Sequence, residues 1–507
     1  MAQQKFYITT PIYYANNKPH IGHAYTTIAA DVLVRYHRMR GEKTYFLTGT
    51  DEHGAKIQEI ANKLGQTPKD FVDNISSAFA FAWDTLNISN DYFIRTTDPK
   101  HEKVVQLVLT ELYNKKYIYK GQYEALYCVG CEQYKTQADL VNGKCPDHQR
   151  EPEIHSEEAY LFKLSAFQDE LLKRIKNDQL KIGPEARKNE IISFYEKEGL
   201  KDVAFSRRKE KVSWGIELPF DKNHTCYVWI DAFLNYLTGL GWTGENFKRQ
   251  AENLKLNFWP PDVQLMSKDI MRVHATIWPA LLLALDLDLP KQIFIHGYFT
   301  INGQKMSKTL GNVVDPVEVA QKYSPDVLRY FLLREIPFGR DGDFSFKRLE
   351  ERYEADLANG LGNLVARILK MAEKYTESKV PEIAPTHLVN IWKSYENYFT
   401  ALELDQVLEI IWSFIKELDR FIDSEQPWIL AKINDKRLKN VIYVLLESLR
   451  HLAWQIWPFM PKTSETIFAK LGLADELKKS YDEGKKWGGL MPGIVVSKGG
   501  PLFPRLT

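Results

Sequence analysis

The chain opens with a pattern that leaves few folds available. Residues 5–10, KFYITT, read as a short buried strand, and KTYFLTGT at 43–50 reads as another. Between them, apolar residues fall at Ala24, Ile28, Val32, Leu33, Tyr36 and Met39. That is the spacing of one helix face, and Gly41 follows as a stop. A second helix from Ala55 is predicted to end near Gly65. Strand, helix and strand of these lengths imply a right-handed crossover and a parallel sheet. The loops leaving the two strands then lie side by side at the carboxyl edge, where open α/β sheets bind ligands. PIYYANNKPHIGH and DEHG occupy those loops.

At 507 residues the chain exceeds one compact core and implies two to four domains. The region from about 116 to 210 is mixed in pattern and rich in charge and carries three of the four cysteines, so it reads as an insertion. Strand-like segments return at TCYVWI (225–230) and KQIFIHGYF (291–299), with a helical pattern over Ile277–Leu285 between them. These are expected to form the second half of the parallel sheet. From about 350 to 475 the patterns are long and helical, as in Leu402–Asp423 and Leu438–Trp457. The Gly- and Pro-rich tail, 484–507, keeps Trp487, Leu490, Leu502 and Phe503, and is expected to pack against the body. The expected class is α/β: a doubly wound, Rossmann-like parallel-sheet domain with an insertion and a C-terminal α-helical domain. The expected divisions are 1–115, 116–210, 211–315, 316–350 and 351–507. No apolar run reaches the ~18 residues of a membrane span, and the N-terminus lacks the layout of a signal or transit peptide, so a cytoplasmic protein is expected. The net charge of +1 decides nothing about a polyanionic partner.

Three clusters carry chemistry. His20-Ile21-Gly22-His23 sits at a strand-loop-helix junction, where free backbone N–H groups and the helix dipole favour an anion. Gly22 allows a base or ribose close to the backbone. Lys305-Met306-Ser307-Lys308-Thr309 follows a strand and a turn at Asn302-Gly303, and its two lysines suit the phosphates of ATP. Alone, each motif has an ordinary reading, a helix cap or a solvated charged loop. Together, each after a strand of one sheet, they are far more specific. The third cluster is Cys128-x2-Cys131 with Cys145-x2-His148, two paired arms that can meet in a closed tetrahedral zinc site. A closed four-ligand site is structural. Cys226 stands apart in an apolar stretch, and the pattern is not that of a secreted disulfide framework.

HIGH followed by KMSKT on this layout resembles a class I aminoacyl-tRNA synthetase. ITTPIYYAN, FLTGTDEHG, CYVWIDAFLNYL, SKDIMRVHATIWPALL, IHGYFTINGQKMSKTLGN and NGLGNLVAR extend the resemblance, over nearly the whole chain, to the bacterial-type methionyl-tRNA synthetase family. The resemblance implies a methionine–tRNA ligase that joins L-methionine to ATP as methionyl-adenylate and transfers it to the 3′ end of tRNA(Met). It places His20 and His23 on the ATP phosphates, Lys308 on the pyrophosphate with Lys305 assisting, Gly22 and Asp269 against the nucleotide, and Mg2+ with ATP. It places Ile12, Tyr14, Asp51, Trp229, Ala232, Phe233, Tyr236, Ile270 and His274 around methionine, with Asp51 on the ammonium and Tyr14 and His274 as polar contacts to sulfur. Methionine offers only a flexible apolar chain and a weakly accepting sulfur, so such a pocket works through aromatic walls and shape.

In the helical domain the resemblance assigns Asn363, Arg367 and Trp428 to the CAU anticodon. Asn363 and Arg367 share a helix face by their spacing. Three positions depart from the family pattern: Ser267 stands for glycine, Val273 for phenylalanine, and Thr309 for a serine whose hydroxyl it retains. Without the additional C-terminal RNA-binding domain of some relatives, a monomer is expected.

Overall fold

A computed structural model describes residues 4–128, 133–135, 140, 142–145, 149–245, 256–301, 303–305, 312–382 and 390–506. Its centre is a six-stranded sheet with every neighbouring pair parallel. In order across the sheet the strands are Tyr92–Arg95, Lys43–Asp51, Lys5–Tyr14, Val263–Ser267, Gln292–His296 and Lys181–Gly183. The chain starts in the middle, adds two strands to one side and later three to the other. The switch point therefore lies between Lys5–Tyr14 and Val263–Ser267, where a doubly wound sheet opens a crevice at its carboxyl edge. Ile8, Phe46, Leu47, Leu265, Met266 and Ile293 are fully buried, because helices cover both faces of a parallel sheet. The predicted crossover helix spans Ile21–Met39, three residues longer at its start than its apolar spacing indicates.

Two strand expectations need correction. TCYVWI does not enter the parallel sheet. Asp221–Cys226 pairs antiparallel with Ile216–Leu218 and Ser206–Arg208, a local hairpin that closes without a crossover, and the chain leaves it before Trp229. The parallel strand is Val263–Ser267, a five-residue run too short to stand out by pattern. KQIFIHGYF is two strands: Gln292–His296 stays in the sheet, while Phe299–Ile301 pairs with Gly342–Phe344 and Gln304–Lys305. Gly297 makes the break, since a Cβ there would lie 2.1 Å from the carbonyl oxygen of Arg340.

The segment from 116 to 210 holds an antiparallel sheet built on the long pair Ile118–Cys128 and Glu153–Phe162. It also returns Lys181–Gly183 to the edge of the parallel sheet, beside Gln292–Phe294, so the segment is not wholly separate. Beyond it, helices Asn363–Thr376, Leu404–Glu425, Arg437–Ile456 and Pro461–Lys470 form the core of the helical region. The tail packs as expected: Leu490 and Phe503 are buried, and the Glu447 carboxylate accepts the amides of Gly488, Gly489 and Leu490 at 2.8–3.0 Å.

One guanidinium ties the helical region to the first crossover helix. Arg329 is fully buried, donates to the carbonyls of Phe459 (2.8 Å), Pro458 (2.9 Å) and Leu86 (3.2 Å), and pairs with Asp31 at 2.6 Å. Among the described residues no helix is long and apolar enough to cross a membrane.

Candidate active site

The parallel strands Lys5–Tyr14 and Lys43–Asp51 shift register between Thr9 and Ile12 and end with Tyr14 opposite Asp51, and Ala15 N donates to Asp51 O at 2.8 Å. The two ligand-facing loops are thus locked together where they leave the sheet. A cavity of about 320 Å³ opens there, bounded by Tyr14, His20, His23, Asp51, Asp269 and His296 among others. A second cavity of about 80 Å³ adjoins it. Its walls include Ile12, Asp51, Trp229, Ala232, Phe233, Tyr236, Ile270 and His274, eight of the nine residues expected around methionine; Tyr14, the ninth, lines the larger cavity. Pro11, Ile12, Asp51 and Ile270 line both, so the two form one continuous site.

His20 caps the helix Ile21–Met39, and the cap fixes both imidazoles. His20 Nδ1 accepts the Gly22 amide at 3.0 Å, and His23 Nδ1 accepts the His20 amide at 3.2 Å. An Nδ1 that accepts carries no proton, so each neutral ring holds its hydrogen on Nε2. Burial, and then the neighbouring His20, push the His23 pKa well below its ordinary value. The site therefore offers neutral N–H donors at a helix start.

Asp51 is the carboxyl group at the junction of the cavities. Its Oδ1 is buried without a hydrogen-bond partner among the described residues. Burial and the nearby Asp231 carboxylate raise its pKa to about 8. Asp231 is itself fully buried and held down, to about 2, against the cost of burial by His53 at 2.8 Å and His101 at 3.0 Å. Burial opposes the charge on His53, yet Asp231 raises its pKa to about 10. Asp231 is thus satisfied as an ion pair, and Asp51 is left as the group a cation would satisfy. Gly54, next along DEHG, has φ +120°, and a Cβ there would come within 3.0 Å of the Tyr14 hydroxyl.

The small cavity is aromatic and strained. Trp229 adopts φ 53°, an outlier for a bulky residue, which aims its ring toward Phe233, 6.2 Å away and near parallel. Both ring nitrogens of His274 are engaged. Its Nδ1 donates to Ile270 O at 2.9 Å and its Nε2 accepts the Tyr236 hydroxyl at 2.8 Å, so in this arrangement no N–H remains for a sulfur atom. Burial depresses its pKa to about 4 and keeps the ring neutral.

On the opposite wall, Ser267, which departs from the family's glycine, donates its hydroxyl to Asp269. Lys268 lies 2.5 Å from Asp341 and 4.6 Å over the Tyr298 ring, turned into an ion pair and a cation–π contact. Sequence reasoning missed His296 and Tyr298, which line the large cavity, and the buried partners His53, His101 and Asp231. The available signal was charge inside apolar runs, as in VWIDAF.

The lysine motif falls mostly outside the described residues, Lys308 included, and of Lys305 only the backbone is described. The chain flanking it is well placed. Thr300 opposes Lys305 across a hairpin whose Gly303 has φ 74°, and Val314 O accepts the Ile21 amide at 3.1 Å. The segment after the motif therefore returns to the first turn of the histidine-capped helix.

Among the expected zinc ligands, Cys131 and His148 lie outside the described residues, as does the side chain of Cys128. Cys145 is fully buried at the head of a tight loop, with its N donating to Arg150 O at 2.9 Å and its O accepting from Gln149 N at 2.8 Å. A fully buried thiol held in place by main-chain hydrogen bonds on both sides is what a structural zinc ligand requires.

In the helical region a cavity of about 360 Å³ is bounded by Asn363, Arg367 and Trp428, bringing together the three residues assigned to the anticodon. Trp428 is 40% exposed, which is not the state of a core tryptophan. Arg367 pairs with Asp419 at 2.7 Å and Asp423 at 3.4 Å.

A doubly wound sheet whose switch point carries a capped His-Ile-Gly-His turn, in a chain that also holds a Lys-Met-Ser-Lys motif after a later strand, defines a class I aminoacyl-tRNA synthetase. The family model for class I tRNA synthetases (M) matches residues 6–153 and 135–369. The chain is 46% identical to the methionine–tRNA ligase of Caldanaerobacter subterraneus over 99% of its length and 79% of that protein, and 41% identical to that of Thermotoga maritima over 99% and 80%. The Mycobacterium tuberculosis methionyl-tRNA synthetase in complex with methionyl-adenylate superposes with TM-score 0.90 at 35% identity, covering 99% of this chain and all of that one; its apo form gives 0.82 at 32%. The chain belongs to the methionyl-tRNA synthetase family.

Proposed function

We propose that this chain is a methionine–tRNA ligase whose two adjoining cavities hold ATP and methionine across Asp51. The carrying observation is that junction: neutral imidazole donors at one end, an aromatic slot at the other, and an unsatisfied buried carboxylate between them. In this reading Asp51 binds the methionine ammonium. Trp229, Phe233, Tyr236, Ala232, Ile12 and Ile270 shape the slot for an unbranched side chain. Tyr14 reaches toward it from the large cavity, and His274 acts by holding Tyr236 and Ile270 in place.

The first step needs no strong base, because the methionine carboxylate is already ionised at neutral pH. It attacks the α-phosphorus, the bond to the β-phosphate oxygen breaks, and pyrophosphate leaves. Catalysis then rests on alignment and on donors aimed at phosphate oxygens. The Nε2–H groups of His20 and His23 supply donors, Lys308 with Lys305 follows the departing pyrophosphate, Gly22 admits the nucleotide, and Asp269, steadied by Ser267, receives the ribose. Mg2+ bound with ATP would neutralise part of the phosphate charge. In the second step a terminal ribose hydroxyl of tRNA(Met) attacks the carbonyl carbon and AMP leaves.

The helical cavity is read as the anticodon site, where an unpaired CAU triplet can splay its bases against Trp428, Asn363 and Arg367. Cys128, Cys131, Cys145 and His148 are read as one structural zinc site that folds the insertion. A cytoplasmic monomer agrees with this reading. Amino-acid-dependent ATP–pyrophosphate exchange tests it: methionine supports exchange, and cysteine, leucine, isoleucine and valine do not. Homocysteine, one methyl shorter, is discriminated by only ~1–3 kcal/mol in binding.

A further inference from the structure

The C-terminal strap reaches the helical cavity, and its placement is specified by main-chain hydrogen bonds and one lysine side chain. Val380 N donates to Ile494 O and Val496 N donates to Ser378 O, at 2.9 and 2.8 Å, so the strap is fixed along the end of helix Asn363–Thr376. Ser497 N then donates to Lys470 O at 2.8 Å. The Lys470 ammonium turns back onto the same strap, donating to the carbonyls of Lys498 and Gly500. Gly499, between them, has φ +52°, and a Cβ there would lie 2.8 Å from Lys470 Nζ. The turn 498–500 is therefore closed around a lysine that a larger residue would displace.

The consequence is the position of Lys498. Its backbone is pinned while its side chain is exposed and forms part of the wall that holds Asn363, Arg367 and Trp428. Arg367 is answered by two carboxylates. Among the described residues, Lys498 and Lys370, also on this wall, have no acidic partner within 4 Å, so they are the cations this cavity offers to an incoming anion. A lysine ammonium is a point charge suited to phosphate and not to reading a base edge. Exposed aromatic plus unanswered cation is the arrangement that single-stranded nucleic acid selects, base on ring and phosphate on charge.

We propose that Lys498 is a backbone-phosphate contact of the anticodon loop, held in place by the Lys470-closed turn. The inference rests on the anticodon reading above and adds to it a residue from a different part of the chain, one that contributes affinity without reading sequence.

The test uses the full chain and unmodified tRNA(Met) transcript, with binding measured across a salt series. Losing one contact to single-stranded phosphate should lower the slope of log K against log salt by about 0.7. Lys498→Gln should do so with a several-fold loss of affinity, unchanged ATP–pyrophosphate exchange and undiminished preference for CAU over an altered anticodon. Lys498→Arg should keep the wild-type slope. An unchanged slope and affinity in Lys498→Gln would overturn the proposal, as would a loss of CAU preference without a change in slope. If the wild-type protein shows no preference for CAU, it is the anticodon reading itself that fails.

Discussion

His20 and His23 lie face to face, ring centroids 3.8 Å apart, and each uses Nδ1 to accept a main-chain amide of the same turn. Two cations could not stack this way cheaply, so the pair works as neutral donors through Nε2. His23→Ala removes one donor and also frees the His20 amide that positions the other. ATP–pyrophosphate exchange should fall roughly 10²- to 10³-fold, as for loss of a preorganised donor. Protonation would turn both caps into clashing donors. Because His23 titrates well below its usual range, the acid limb of the wild-type profile should lie below pH 6.5. A limb centred near 6.5 would contradict the neutral pair.

Asp51 gives a second pH-linked expectation. With its pKa raised to about 8, the ligand-free carboxyl is mostly protonated at pH 7. A bound ammonium favours the ionised form and lowers that pKa. Methionine binding at pH 7 should therefore release close to one proton, and the release should fade above pH 8, where Asp51 is already ionised. Calorimetry in buffers of different ionisation enthalpy measures it directly. Asp51→Asn should abolish the release along with most of the affinity.

The legible part of this molecule was what local pattern dictates. Apolar spacing at Ala24–Met39 predicts the crossover helix, and the crossover sets the loops that follow Tyr14 and Asp51 side by side. TCYVWI was misread because a buried hairpin strand and a buried parallel strand carry the same apolar run, and only the non-local partner separates them. Val263–Ser267 was missed for the converse reason: five residues hold too little pattern. The His53–Asp231–His101 network joins residues 130 to 178 positions apart in sequence, so no spacing rule can reveal it. The saturation of His274 by Tyr236 and Ile270 likewise exists only in three dimensions.

The paired arms of the insertion predict roughly one zinc per purified chain by elemental analysis. Prolonged chelation should unfold the insertion while the parallel sheet persists, because the described core of the sheet is built from buried aliphatic and aromatic side chains and not from metal ligands. Hydrogen exchange should show loss of protection centred on residues 118–162. A metal-free chain that keeps full protection there would refute the site.

Arg329 and Asp31 predict where the two halves of the molecule are most vulnerable. Both are fully buried, and Asp31 also takes Arg35 at 2.7 Å and the Ser89 amide and hydroxyl at 2.7 and 2.6 Å. Asp31→Asn removes the carboxylate that pairs directly with the buried guanidinium. Breaking such a pair from one side costs roughly 3–5 kcal/mol. Urea unfolding should show that loss, and Arg329→Met, which removes the charge while filling the space, should cost less. Equal losses would mean that the three carbonyl contacts of Arg329 dominate over its ion pair.

On the proposed anticodon reading, a change at Trp428 should separate recognition of tRNA from activation of methionine. It follows Pro427 at the start of a short helix and is 40% exposed, with Ile429 beside it at 39%. Large apolar groups exposed together beside a basic pocket are poor for solubility and good for stacking a splayed base. Stacking of one base is worth about 1–3 kcal/mol, so Trp428→Ala should lower kcat/KM for tRNA charging by roughly 5- to 150-fold. The proposed adenylate site in the sheet crevice shares no residue with this cavity, so ATP–pyrophosphate exchange should be unchanged. Trp428→Phe retains a flat ring and should recover most of the charging rate. An equal fall in charging and exchange would instead place Trp428 in the framework that holds the helical region together.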